Sequence, residues 1–174
     1  HRVLDDVRKT YVEIFDMAFK AGNMQQTGSI GWAPTYVPKG KFAVIQCDFS
    51  CLISPDLVRE FVIPAIEEEA SFLDYSVYHF DGKDALGHLD DILAIKDIDV
   101  IQWVPGDGQP RSIEWMDLLH KIQSAGKGLW IYDWTCEEIA GSFKELKPEG
   151  LVFSVRAGSE DEAKRLVENV ARKM

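Results

Sequence analysis

From residue 41 onward the sequence repeats one pattern: a short apolar run, a break, then a longer stretch with its apolar residues three and four apart. The spacing predicts strands over 42–49, 75–80, 100–104, 129–134 and 151–155, each followed by a helix, over 55–70, 85–95, 113–125, 136–146 and 160–173. Runs such as Phe42-Ala43-Val44-Ile45 and Gly128-Leu129-Trp130-Ile131 are apolar throughout. Strands of that kind are buried on both faces, so the pattern implies a parallel sheet with helices as crossovers, the α/β class. No G-x-G-x-x-G or G-x-x-x-x-G-K-[ST] follows any of them, which removes the main signature of a phosphate-cradling nucleotide fold. A closed (β/α)8 barrel needs eight strands and about 250 residues. With 174 residues there is room for about five units, so the chain reads either as the second half of such a barrel or as a short open sheet.

Upstream of the repeats, Leu4, Val7, Tyr11, Ile14 and Ala18 mark a helix over 1–23. The stretch 24–40, rich in Gly, Pro, Thr and Gln and carrying Trp32 and Tyr36, reads as a long loop, either a lid or a surface excursion. The whole chain, 1–174, reads as a single domain. It starts with His1 already inside the helical pattern, which reads as a piece of something longer. Some helix starts are marked chemically: Ser54 before Pro55 gives an N-cap hydroxyl and a preset φ, and Thr135 with Glu138 and Ser159 with Glu162 have capping-box spacing. Pro64 inside the second helix predicts a kink, because it lacks an amide and crowds the carbonyl four residues back.

Charge narrows the partners. There are 19 basic and 29 acidic residues, a net charge of −10, which opposes binding to phosphate backbones and argues against a nucleic-acid partner. No apolar run approaches the roughly 20 residues of a membrane span, and no signal-like opening segment is present, so a cytoplasmic protein without a membrane partner is expected. Cys47, Cys51 and Cys136 are odd in number and stand in no C-x-x-C spacing, which fits free thiols in a reducing compartment.

In both α/β architectures the reactive groups lie at the carboxyl ends of the strands. Here those ends read Gln46-Cys47-Asp48, Tyr78-His79-Phe80-Asp81, Gln102-Trp103 and Tyr132-Asp133-Trp134, polar at the same point of successive units. Alternation along a strand puts Gln46 with Asp48 on one face and His79 with Asp81 on one face of the next. His79 and Asp81 are therefore read as an acid/base pair or as two metal ligands, with Asp48 the third catalytic candidate. Two ligands alone do not make a zinc site. Gln46, Gln102, Trp103, His88 and Tyr78 are the candidate substrate-binding residues, Trp103 as an apolar wall. The bland readings are a hydrogen-bonded histidine at 79, loop-capping aspartates at 48 and 81, and a solvated His88. Asp133 is assigned a turn role. Cys47 is assigned packing on the opposite face, and Glu67-Glu68-Glu69 and Glu160-Asp161-Glu162 are read as solvated faces.

Gln46-Cys47-Asp48-Phe49-Ser50, Ser54-Pro55, the run from Leu73 to Gly82 (LDYSVYHFDG), His88-Leu89-Asp90, and Ile101-Gln102-Trp103-Val104-Pro105-Gly106 together resemble the uroporphyrinogen decarboxylase superfamily, as does the closing stretch 150–170. The resemblance covers about 40–170. It implies the C-terminal half of a TIM barrel and one of two chemistries. The first is a carbon–carbon lyase, a decarboxylase acting on a tetrapyrrole or another small acidic substrate with no cofactor. The second is methyl transfer between a corrinoid protein partner and a thiol, with zinc. It also implies that the substrate-binding arginines and central aspartate lie in the half not represented here. This chain departs from the methyltransferases in having His79-Phe80-Asp81 where they have His-x-Cys, and in lacking their later cysteine near Ser154-Val155-Arg156-Ala157-Gly158. It also lacks the Gly-His-Gly segment of true decarboxylases at that position. Loss of thiolates disfavours zinc but leaves an oxygen-rich site. Arg111 and Arg156 are nearly the only cations in the segment suited to a polycarboxylate. A non-catalytic reading remains: a half-barrel that pairs with a second copy to cover its open sheet edges.

Overall fold

The computed structural model describes residues 2–33 and 35–172. His1 and Lys173, which the expected first and last helices included, and Pro34 in the expected loop lie outside the described residues. The chain divides into two compact units, His1–Asp99 and Val100–Met174.

The first unit opens with helix α1 (Arg2–Ala21) and a short α2 (Met24–Thr27). Residues 24–40 are more ordered than a plain loop, because α2 is followed by a small antiparallel ladder between β1 (Ser29–Ile30) and β2 (Tyr36–Val37), register Ser29↔Val37 and Ile30↔Tyr36. Trp32 sits at the tip of that ladder. β3 (Phe42–Gln46) then pairs in parallel with β4 (Tyr75–Asp81), register Phe42↔Tyr75 through Gln46↔His79. Between them the expected helix is broken into three pieces. α3 (Pro55–Leu57) leads into a π turn over Val58–Val62, where the Ile63 amide donates to the Val58 carbonyl, and α4 (Ile63–Phe72) follows. Pro64 is the second residue of α4, and widening the turn before it accommodates the missing amide. The Ser54 hydroxyl accepts from the Leu57 amide at 3.4 Å, as the Ser-Pro signal predicts.

The face of α1 that carries Tyr11, Phe15 and Phe19 packs on α4, with Phe15 edge-on to Phe72 at 5.4 Å, and Arg8 joins Glu68 through both carboxylate oxygens. The Glu67–Glu69 run is therefore not uniformly solvated: Glu68 is tied to Arg8, and burial raises the Glu69 carboxyl above its usual range. Ser76, at the start of β4, is buried; its amide donates to Asp99 and its hydroxyl to the Asp97 carbonyl, each at 2.8 Å. After β4 a 3-10 turn (Lys83–His88) precedes α5 (Leu89–Ala94).

The second unit contains β5 (Val100–Val104), a 3-10 turn (Ser112–Trp115), α6 (Met116–Ser124), β6 (Gly128–Ile131), α7 (Cys136–Ser142), β7 (Leu151–Phe153) and α8 (Glu160–Ala171). β5 pairs with β6 and β6 with β7, all parallel. Both units thus have the expected α/β construction of parallel strands separated by helices. Several strands end earlier than expected: β3 stops at Gln46, so Asp48 and Phe49 lie on a 3-10 turn (Asp48–Leu52), and β6 stops at Ile131, leaving Tyr132-Asp133-Trp134 beyond it. The Thr135–Glu138 capping box forms in both directions. The Ser159 box forms by half: its hydroxyl accepts from the Glu162 amide, while the Glu162 carboxylate turns to the Gly158 amide at 2.7 Å. No helix among the described residues is long and apolar enough to cross a membrane.

Candidate functional site

Three side chains from the carboxyl ends of β3 and β4 meet. Asp48, His79 and Asp81 each offer one ligand atom, and these atoms all lie within 4.8 Å of one another. His79 and Asp81 are two residues apart on β4 and so share a face. Asp48 arrives by another route than alternation along β3, since the chain has already turned. The Gln46↔His79 register sets the two strand ends level, and the 3-10 turn after Gln46 swings Asp48 back toward β4. The Gln46 side-chain amide donates to Asp48 at 3.4 Å, so Gln46 belongs to the same group. Trp32 stands edge-on to the His79 ring, centroids 5.1 Å apart at 86°, and walls one side of the cluster from the β1–β2 tip.

The turn that carries Asp48 is fixed from below. His88 is only 4 % exposed, and its Nε2 lies 3.0 Å from the Ser50 carbonyl oxygen. The carbonyl can only accept, so Nε2 carries the proton and the ring is the Nε2–H tautomer when neutral. Its Nδ1 has no hydrogen-bond partner. The solvated reading of His88 is wrong: the 3-10 geometry of 83–88 rotates the ring inward, and it ties the start of α5 to the Asp48 turn. The Cys51 thiol also donates to the Asp48 carbonyl, at 3.0 Å.

Tyr78, on the same strand as His79, sits apart from the cluster. Tyr78 is 3 % exposed and alternates to the face of β4 opposite His79. Burial first, and then the negative charge of Cys47 and Asp48, pushes its phenol far above the ordinary value. Burial likewise raises the Cys47 thiol, consistent with a packed rather than a reactive cysteine. Gln102 and Trp103 are both buried on β5 in the second unit, and Trp103 packs edge-on to Trp115 at 5.3 Å.

In the second unit the Asp133 carboxylate reaches beyond its own turn, accepting the Ser112 amide at 2.9 Å and the Ser112 hydroxyl, and that hydroxyl accepts the Trp134 indole at 2.8 Å. Arg111 is committed as well. It holds both oxygens of Glu138 at 2.8 Å and reaches the Asp133 carbonyl. The Arg111 guanidinium, followed by the Thr135 backbone, lowers the Glu138 carboxyl to about 2. A cation so engaged is poorly placed to receive a substrate carboxylate.

Two residues matter here that the sequence did not assign to the site. Ser50 is legible only once His88 is known to be buried, and Trp32 carried a signal as an aromatic in a Gly- and Pro-rich stretch. No family model matches the chain, and comparison with curated proteins and with solved structures finds no match.

Proposed function

We propose that Asp48, His79 and Asp81 form the reactive centre of an enzyme of the uroporphyrinogen decarboxylase kind, built on the C-terminal half of a (β/α)8-type barrel. The reaction would be a carbon–carbon bond cleavage releasing CO2 from a small acidic substrate, a tetrapyrrole or a simpler carboxylic acid. The observation that carries this reading is the convergence of the three groups within 4.8 Å. Decarboxylation leaves a carbanion that must be protonated where the carboxylate departed, and imidazole is the side chain suited to holding that proton near neutrality. Asp48 and Asp81 flank the ring, Gln46 orients Asp48, and Trp32 stands edge-on to the imidazole at one side of the cluster. The three free cysteines support a reducing, cytoplasmic setting.

The donor set favours a second reading. One nitrogen and two carboxylate oxygens suit a divalent cation such as zinc or manganese, with an open position for substrate. Ligands at 2.0–2.2 Å from one tetrahedral ion stand about 3.4 Å apart, so a pair near the 4.8 Å limit would close by about an ångström on binding. Asp48 then supplies, within this chain, a third ligand beside His79 and Asp81. When bound, such an ion supplies Lewis-acid polarisation. This is the corrinoid-dependent methyltransferase reading with an altered metal site. The two aspartates also make the cation helpful for the lyase, since an acidic substrate would otherwise meet like charge.

The readings separate experimentally. For the lyase, the full-length protein, with the half that would carry the substrate-binding arginines, should release CO2 from a porphyrinogen polycarboxylate or a simpler acid, and His79→Ala or Asp81→Ala in it should lower turnover at least about a hundredfold, the scale of a lost acid/base group. Unchanged turnover in both variants refutes the assignment. For methyl transfer, the purified chain should hold about one metal per chain and move a methyl group from a methylcobamide to a thiol; a metal-free chain indifferent to chelators excludes it.

A further inference from the structure

Helix α1 has two faces, and one is left open. Tyr11, Phe15 and Phe19 turn inward, while Val3, Val7, Ile14 and Met17 lie on the other side at 71 %, 61 %, 59 % and 71 % exposure. With Thr10 between them these positions run 3, 7, 10, 14, 17, an unbroken alternation of four and three that is the spacing of a coiled-coil seam. Thr10 fits the seam because its hydroxyl already donates to the Asp6 carbonyl of its own helix at 2.7 Å, which leaves its methyl to face outward. The seam lies along a helix of 20 residues, about 30 Å long.

The geometry points to a second copy of this chain as the occupant of that face, with the two α1 helices packed antiparallel about a two-fold axis. Charge selects the partner and the direction. Placing Val7 and Ile14 at the a positions and Val3, Thr10 and Met17 at the d positions puts Asp6, Glu13 and Lys20 on one flanking row. In an antiparallel pair, Val7 of one copy meets Met17 of the other and Thr10 meets Ile14. That register sets Asp6 opposite Lys20 of the second copy twice, once on each side of the axis. A parallel pair sets this row against Leu4, Tyr11 and Ala18 and makes no such ion pair. Glu13 then faces its own counterpart at the axis, a like-charge contact that holds the association to a reversible one. A self-complementary patch closing about a two-fold is the commonest form of symmetric association. This surface is distinct from the Asp48–His79–Asp81 cluster and from any sheet edge.

Sedimentation equilibrium of the full chain over a range of concentrations tests the proposal. The mass should rise from 19.7 kDa toward twice that value. Val7→Asp and Ile14→Asp should each weaken dimerisation at least about thirtyfold, since each acts on both sides of the axis. Both sites are exposed in one copy, so at concentrations where the parent is monomeric the unfolding curves of the variants should match it. Asp6→Lys alone and Lys20→Asp alone should each weaken self-association by about tenfold. Mixed together, those two variants should form a heterodimer of about parental affinity, because both ion pairs are present again, one reversed and one in its original sense. Glu13→Gln should tighten the dimer. A parent chain that stays at 19.7 kDa up to millimolar concentration overturns the proposal. So does a dimer indifferent to Val7→Asp and Ile14→Asp, or a mixture of the two charge variants that fails to recover affinity.

Discussion

At the scale of single residues, the centre depends on how firmly Asp48 is aimed. Its turn is pinned by the His88 imidazole on the Ser50 carbonyl, in a place closed to water. Replacing His88 by Ala should leave that carbonyl unpaired and a cavity behind it, a loss of about 2–4 kcal/mol in urea unfolding, with His88→Asn recovering part of it. Two other carboxyls give opposite pH signatures. The Glu138 carboxyl is depressed to about 2 in the folded chain, so its stabilisation is full above the ordinary carboxylate value and is lost as pH falls toward 2. The Glu69 carboxyl is raised by burial, so its contribution is full below the ordinary value and is lost as pH rises through its folded value. Denaturation measured from pH 7 to pH 2 should therefore fall less steeply in Glu138→Gln than in the parent, and Glu69→Gln should be the more stable chain at pH 7.

Among the elements, β4 and its exit matter most to the site. Gly82, directly after Asp81, has φ 83° and ψ 142°, a conformation nearly closed to other residues, although a Cβ there would meet nothing within 4 Å. Gly82→Ala should then cost about 1–3 kcal/mol through backbone strain alone, read by thermal or urea unfolding. The strand–helix rhythm was readable in the sequence because β3, β5 and β6 are near-continuous apolar runs, and β5 lies where the spacing placed it. The strand ends at Gln46 and Ile131 were not. Phe49 and Tyr132 look like a continuation of the apolar run, yet both are exposed on turns. For the site, the two-residue spacing of His79 and Asp81 on one strand was legible. The arrival of Asp48 depended on a 3-10 turn, and the burial of His88 on a 3-10 start to the next helix, and neither tight turn leaves a period-3.6 or period-2 trace.

For the whole molecule, a net charge of −10 sets the field in which the centre works. It draws cations toward the aspartates and repels polyanions, the more so because Arg111 is already bound to Glu138. Affinity for a divalent cation should therefore fall on going from about 0.01 M to 0.15 M salt, as the screening length shrinks from about 30 Å to about 8 Å. A polyanionic substrate should show the reverse trend unless a cation accompanies it. The account rests on three side chains sharing one point in space, and a small ion reads that directly whichever chemistry follows. Calorimetric titration of Mn2+ into the full chain should give one site per chain, weakened at least about tenfold by each of Asp48→Asn, His79→Ala and Asp81→Asn, and unmoved by Asp84→Asn on the exposed turn beside them. Binding that ignores all three substitutions, or that responds equally to Asp84→Asn, would contradict it.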